Sequence, residues 1–452
     1  MAQSVITRQI VVAGGVFAPG HLGELTRIVS FEMVDAVLAE CGAVQRRVRK
    51  LPARVVVYLL LAAALFEPAG YPAVWRKLTS ALDAAAVRVT AAALWQARTR
   101  LGPAPLRALF DLLRGSAAAP RTNGSWWRGL LVCAIDGTTL DVPDTPGHRA
   151  RLGKQDNQYA TAGYPQIRLV ALVACGTRAI IDAVFGPTAD GEPAYVTRLL
   201  RSLHSGMIVL TDRGLSSNAL LAAITSTNAD FLARLTAGRK PPVLRRLPDG
   251  SYLSVLGSVQ ARIIECQITI ATTAGRHTGI YRLATTLLDS RQHPAFELVK
   301  LYHQRWEIES AYFEIKKTML GRRVLRARTL PGITQEIYAL LTVYQMLRIA
   351  ITDATITAPG TDPDRASFTI ALQAARDQVI QAANVIAGET IDLAGTIGRH
   401  ILASLLPARR LRVSPRAVKR PLSRYAYKSL HVDRRTYKAT ISIDILTALP
   451  NP

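Results

Sequence analysis

Two short apolar runs each end on a single aspartate, and this pattern constrains the fold more than any other feature of the chain. "LLVCAIDG" delivers Asp136 and "MIVLTDRG" delivers Asp212. A short apolar run bounded by turn residues reads as a strand buried on both faces. Open sheets place their reactive groups at the carboxyl ends of such strands. A carboxylate in that position is costly to bury unless a cation or hydrogen bonds compensate it.

The surrounding texture divides the 452 residues into regions. Residues 1 to about 120 read as all-helical, with periodic stretches at 21–41, 51–66 and 70–83. Thr90 is a plausible N-cap for "AAALWQARTRLG", and "APLRALFDLLRG" follows it. The segment 70–102 fits two helices around a turn, the second presenting Gln96, Arg98 and Arg100 outward as a helix-turn-helix reader would. A plain helical bundle with a basic face fits the same pattern. "SAAAPRTNGS" at 116–125 has the composition of a linker. Strands follow: the run to Asp136, then a hairpin over 166–186 turning at Cys175, Gly176 and Thr177. After Asp212 come further alternating segments, and no long helix is expected until about 294.

That later helix, "YHQRWEIESAYFEIKKTML" over 302–320, is unusual. Read as one continuous helix, it sets Tyr302, Arg305, Glu309 and Lys316 within roughly 60° of one another, with Glu307 and Glu314 on another side. A phenol, a guanidinium, a carboxylate and an ammonium on one stripe do not suit a core. They suit a phosphate-bearing ligand and a metal. Magnesium takes hard oxygen ligands, commonly one or two carboxylates plus water and substrate phosphate. Two such ions about 3.5–4 Å apart can activate an attacking oxygen and stabilise a leaving one in phosphodiester transfer. Asp136, Asp212 and Glu309 would be their ligands. Arg305 and Lys316 would bind flanking phosphates, and Tyr302 would donate its hydroxyl or stack. Arg213 reads as an orienting or phosphate contact, and Asp141 and Asp144 compete for the first ligand position without ending an apolar run.

Composition points to the same partner. Lys and Arg number 56 against 32 Asp and Glu, a net charge of +24, and an excess of this size favours polyanions. A membrane is the weaker partner, because the most apolar run, 55–66, falls short of the ~20 residues a bilayer span needs. The N-terminus lacks the pattern of a secretory signal, and Cys41, Cys133, Cys175 and Cys266 form no metal-like spacing. A cytoplasmic, nucleoid-associated protein with reduced thiols is expected.

The spacing Tyr302-x2-Arg305-x3-Glu309-x6-Lys316 resembles the YREK motif of the insertion-sequence-four family of bacterial DDE transposases. So do "IDGTTLD" around Asp136, "TDRG" around Asp212, "LYHQRWEIE", "YPQIRLVALVACGTR", "YRLATTLLD" and the helical N-terminal region with "ARTRLG". The resemblance covers most of residues 15–350. It implies an α/β fold: a ribonuclease-H-like catalytic core with a β-rich insertion at about 236–292, preceded by an all-helical N-terminal domain. It also implies cut-and-paste transposition on double-stranded DNA, at terminal inverted repeats and at a target, by a homodimer in a synaptic complex. Two Mg²⁺ ions are implied, with Mn²⁺ able to substitute. A tryptophan that some relatives carry in the insertion is absent, and Tyr252 or Tyr281 could take its place.

The expected domains are thus 1–120, helical and DNA-binding through residues such as Arg98 and Arg100; 121–390, catalytic; and 391–452, a basic tail. The tail interleaves Tyr425, Tyr427 and Tyr437 with Lys and Arg, which suits DNA contact or dimerisation. Two alternatives keep the fold and change the function. One is a ribonuclease-H-like nuclease that cuts without joining. The other is an inactive or host-adopted DNA-binding relative.

Overall fold

The computed structural model describes residues 22–446 apart from 46, 48–50, 81–87, 120–121, 123, 155, 158–159, 162, 274, 359, 381–394, 408–411 and 414–436. The chain forms two compact units. One holds residues 1–119, 140–148 and 311–406, and the other holds 120–139, 149–310 and 407–452.

The first unit is helical. Helices Phe31–Glu40, Ala53–Leu65, Tyr71–Leu78, Ala91–Leu101 and Ala104–Leu113 are joined by Leu330–Ile356, Phe368–Ile380 and Gly395–Ala403. Local chemistry sets their starts: the hydroxyls of Ser30, Thr90 and Thr329 each accept a backbone N–H one turn into their helix. Apart from Arg54, which pairs with Asp35, Ala53–Leu65 is apolar and buried all round, as a helix too short to span a bilayer should be. Among the described residues no helix is long and apolar enough to cross a membrane. The long helix Leu330–Ile356 is also buried on most sides, so it needs partners on every face. It packs against Ala53–Leu65, Ala104–Leu113 and Gly395–Ala403. Residues 311–380, expected with the catalytic domain, therefore join the N-terminal helices in one core.

The turn expected within 70–102 lies outside the described residues. Its second helix does expose Gln96 and Arg100, along with Trp95. Arg98 does not point outward as expected. Its guanidinium lies 3.5 Å from the Tyr71 ring centroid, and burial lowers its pKa, because the apolar face of the helix has folded it inward.

The second unit is built on one mixed sheet. Its main strands are β1 (Leu130–Asp141), β2 (Gln166–Ala174), β3 (Ile180–Pro187), β4 (Met207–Thr211), β5 (Asp230–Arg234), β6 (Tyr252–Leu256), β7 (Val259–Thr272), β8 (Gly275–Thr285) and β9 (Tyr437–Ile445). They run β9-β7-β8-β5-β4-β1-β2-β3, with β6 paired to β7. The β1–β4 and β4–β5 pairs are parallel and β2–β3 is antiparallel. This is the ribonuclease-H-like arrangement. The β2–β3 hairpin turns where expected. Gly176 sits there at φ +50°, and a Cβ on it would fall 2.6 Å from Gly124 and Ser125.

The insertion does not stand apart from the core. β8 pairs antiparallel with β5 and so extends the catalytic sheet. From the basic tail, Tyr437–Ile445 adds a further strand on β7; Tyr425 and Tyr427 lie outside the described residues.

Candidate active site

β1 and β4 bring the two aspartates together by register alone. Leu131 pairs with Met207 and Ala134 with Leu210, so the same register carried two residues on sets Asp136 level with Asp212. Leu131–Ile135 are buried, and burial falls off at Asp136. The strand does not stop there, as the sequence suggested, but continues to Asp141 because Thr138, Thr139 and Leu140 keep it extended. β4 does end at Thr211. Asp212 then caps the short turn Arg213–Leu215, its Oδ1 accepting from the N–H of Gly214 at 2.8 Å and of Leu215 at 3.2 Å. Its Oδ2 accepts no hydrogen bond among the described residues.

The third carboxylate arrives on a broken helix. The expected single helix over 302–320 is in fact Ala295–Tyr302, a 3-10 turn at His303–Arg305, the helix Trp306–Phe313 and a π-helical turn at Glu314–Met319. These changes of pitch shift the stripe. Tyr302 faces inward: it is only 8% exposed, and its hydroxyl donates to the Thr211 carbonyl at 3.1 Å. Burial pushes the phenol up to about 12. It therefore braces the strand end that carries Asp212. Arg305 and Glu309 stay at the site, whereas Lys316 is half-buried in the π-helical turn of the helical unit.

A buried ion pair fixes this helix. Glu307 and Arg178 meet at 2.5 Å, with 8% and 7% of their side chains exposed. Arg178 belongs to the β2–β3 turn, so the pair ties Trp306–Phe313 to the sheet. Losing either partner would leave a buried charge without a counterion.

Arg305 lies between Asp136 and Glu309. One guanidinium nitrogen is 3.5 Å from Asp136 Oδ2 and another 3.4 Å from Glu309 Oε1. Both contacts are long for charge-assisted hydrogen bonds. The Asp136 carboxyl rises to about 6, mainly through burial. The Gly137 N–H and Arg305 oppose the rise, while the charges of Glu192 and Asp212 add to it.

Glu192 had no sequence signal of its own. It opens the helix Glu192–Leu199, which lies against β2 and β3. Burial also raises its pKa, with Arg168 opposing and Asp212 adding. Of the remaining candidates, Arg213 is exposed beside Asp212. Tyr252 is buried, its hydroxyl 3.2 Å from Glu265, and Tyr281 is covered by Arg234 at 3.8 Å.

These oxygens suit a hard divalent cation. They are carboxylates only, partly desolvated, and bridged by a cationic side chain standing where a metal's charge would act. Among the described residues no three His, Cys, Asp or Glu side chains converge into a ready cage.

Residues 19–111 match the family described as insertion element 4 transposase N-terminal, and residues 127–346 match the transposase DDE domain. The chain is 28% identical over 404 residues to the transposase InsG of insertion sequence element IS4 from Escherichia coli (strain K12), covering 86% of this chain and 90% of that one. The piggyBac transposase in a synaptic complex with hairpin DNA aligns over 85% of this chain and 84% of its own, at 11% identity and a TM-score of 0.42.

Proposed function

Because the chain belongs to the insertion-sequence-four family of DDE transposases, and so is an enzyme of DNA transposition, we propose that Asp136, Asp212 and Glu309 carry its chemistry. The observation that supports this most directly is the β1–β4 register, which sets Asp136 level with Asp212 where burial falls off. The Asp136–Arg305–Glu309 bridge adds the third carboxylate.

The DDE domain works with a divalent metal. We infer Mg²⁺ as that metal, in two ions, with Mn²⁺ accepted, held by Asp136, Asp212 and Glu309. Bound there, the ions supply charge stabilisation at the reacting phosphate and a lowered pKa for the attacking hydroxyl. The protein's own side chains do the rest. Arg305 keeps the Asp136 and Glu309 carboxylates facing each other and offers its guanidinium to a phosphate oxygen. Tyr302 holds the Thr211 carbonyl, and so the strand end before Asp212, in place. Arg213, exposed beside Asp212, is set to take a neighbouring phosphate. Lys316 and Arg100 are proposed as further DNA backbone contacts, and Arg98 serves through the packing of its helix.

The reaction is read as cleavage at the terminal inverted repeats, followed by attack of the freed 3′-hydroxyl on target DNA. It would be carried out by a homodimer holding both ends.

The test is a supercoiled plasmid bearing the element's own ends, incubated with the full chain in Mg²⁺, Ca²⁺ or EDTA. Cuts at the ends in Mg²⁺ alone, lost in Asp212→Ala and Glu309→Gln while end binding persists, are expected. Cuts that survive both substitutions would sink the assignment. Cutting without joined product would leave a nuclease.

A further inference from the structure

Gly137 lies inside β1, where no turn calls for a glycine. Its missing side chain has a different cause. A Cβ built on Gly137 would fall 1.8 Å from Glu192 Oε1 and 2.8 Å from its carboxyl carbon. The Glu192 carboxylate therefore occupies the space that any other residue at 137 would fill. It is pressed against the backbone one position from Asp136.

That placement is built into the fold. The helix Glu192–Leu199 buries Tyr195, Val196 and Leu199, and the Tyr195 hydroxyl donates to the Pro187 carbonyl at 2.7 Å. This anchors the helix to the end of β3. Glu192, at its first position, is then held over β1. The negative charges of Asp136 and Asp212 both lie within its electrostatic reach, and Arg168 is the compensating cation. Arg168 is itself only loosely engaged. One guanidinium nitrogen donates to the Thr188 carbonyl at 3.4 Å, and its buried Nε has no hydrogen-bond partner among the described residues. A carboxylate pinned beside two like charges is unfavourable unless a stronger cation shares the space, and the family's divalent metal is such a cation.

We propose that Glu192 is a fourth metal-binding carboxylate of this site, and that Gly137 is a glycine because Glu192 needs its space. This rests on the assignment of Asp136 and Asp212 as metal ligands. It adds a residue 20 positions before Asp212, on a helix with no motif of its own.

The experiment is Mn²⁺ titration of the full chain without DNA, with free ion followed by electron paramagnetic resonance. Wild type is compared with Glu192→Gln, Glu192→Asp, Gly137→Ala and Asp136→Asn. Glu192→Gln is expected to weaken Mn²⁺ binding at least about tenfold. Glu192→Asp, which keeps the charge, should recover part of that loss. Gly137→Ala should match Glu192→Gln, because the added methyl displaces a flexible carboxylate rather than backbone. Combining the two should be no worse than either alone.

If Asp136→Asn loses Mn²⁺ while Glu192→Gln binds it as wild type does, the fourth ligand is refuted and the Asp136 assignment stands. Equal losses in the Gln and Asp variants would mean a structural role and would also refute it. If Asp136→Asn binds Mn²⁺ normally, the underlying metal assignment fails as well.

Discussion

Asp136, partly buried, and Asp182, fully buried, are two aspartates in one sheet, and their surroundings differ. Asp182, in β3, is fully buried. It accepts from Arg201 at 2.8 and 3.0 Å, from the Ser202 hydroxyl at 2.6 Å and from the Ala183 N–H at 2.8 Å. Asp136, in β1, accepts from the Gly137 N–H at 2.8 Å, lies 3.5 Å from an Arg305 nitrogen, and faces the charges of Asp212 and Glu192. A buried carboxylate with enough short donors stabilises the structure it sits in. One set beside like charges carries unfavourable electrostatics that a cation can relieve. That difference is what the role proposed for Asp136, and not for Asp182, requires.

The contrast can be tested by removing each acid in turn. The largest expected effect is on chemistry. Asp136→Ala should lower end cleavage by about 10³-fold or more, since several kcal/mol of charge stabilisation go with it. Asp182→Ala should leave the rate per folded molecule nearly unchanged. A cleavage assay normalised to the folded fraction reads both, and a large loss in Asp182→Ala would erase the distinction.

Next in size is stability, where the order reverses. Asp182→Ala should cost about 2–3 kcal/mol in urea denaturation, because Arg201 and Ser202 lose their buried partner. Asp136→Asn, in EDTA, should instead stabilise the fold at pH 7. Asp136 titrates near 6 when folded, above its ordinary 3.8, so folding favours the protonated form. The associated stability is complete below about pH 4 and is lost as pH rises through 6. At neutral pH the ionised wild type therefore carries a penalty of up to about 3 kcal/mol, which the amide lacks. Melting curves from pH 4 to 8 should fall for wild type relative to Asp136→Asn. Parallel curves would show that Asp136 is as well compensated as Asp182. The smallest effect concerns the brace: Tyr302→Phe should cost about 1 kcal/mol for its lost hydrogen bond to Thr211, measurable by the same melts.

The helix after Tyr302 shows where reading a sequence reaches its limit. Arg305 and Glu309 keep the proximity that their spacing predicts, at 3.4 Å, because they are one turn apart and local pitch governs such a pair. Tyr302 was placed on the outside because the helix was taken as continuous. The 3-10 turn at His303–Arg305 and the π-helical turn at Glu314–Met319 are responses to packing that a side-chain pattern does not announce. Arg98 failed for a related reason. Its position on the helix wheel allowed exposure, but the Tyr71 ring, 27 residues earlier in the chain, offered a face to stack on.

By itself the sequence determined the strands that deliver Asp136 and Asp212, the hairpin at Gly176, the helix caps at Thr90 and elsewhere, and the family. Each of these is written in residues close along the chain, where alternation, turn chemistry and motif spacing act directly. Only the tertiary structure decided that the helices after 310 share a core with the N-terminal ones, that the insertion extends the catalytic sheet, and that Glu192 fills the space beside Gly137. Those facts depend on which distant surfaces bury each other. Burial is a property of the assembled chain, so no local pattern around Glu192 could have encoded it.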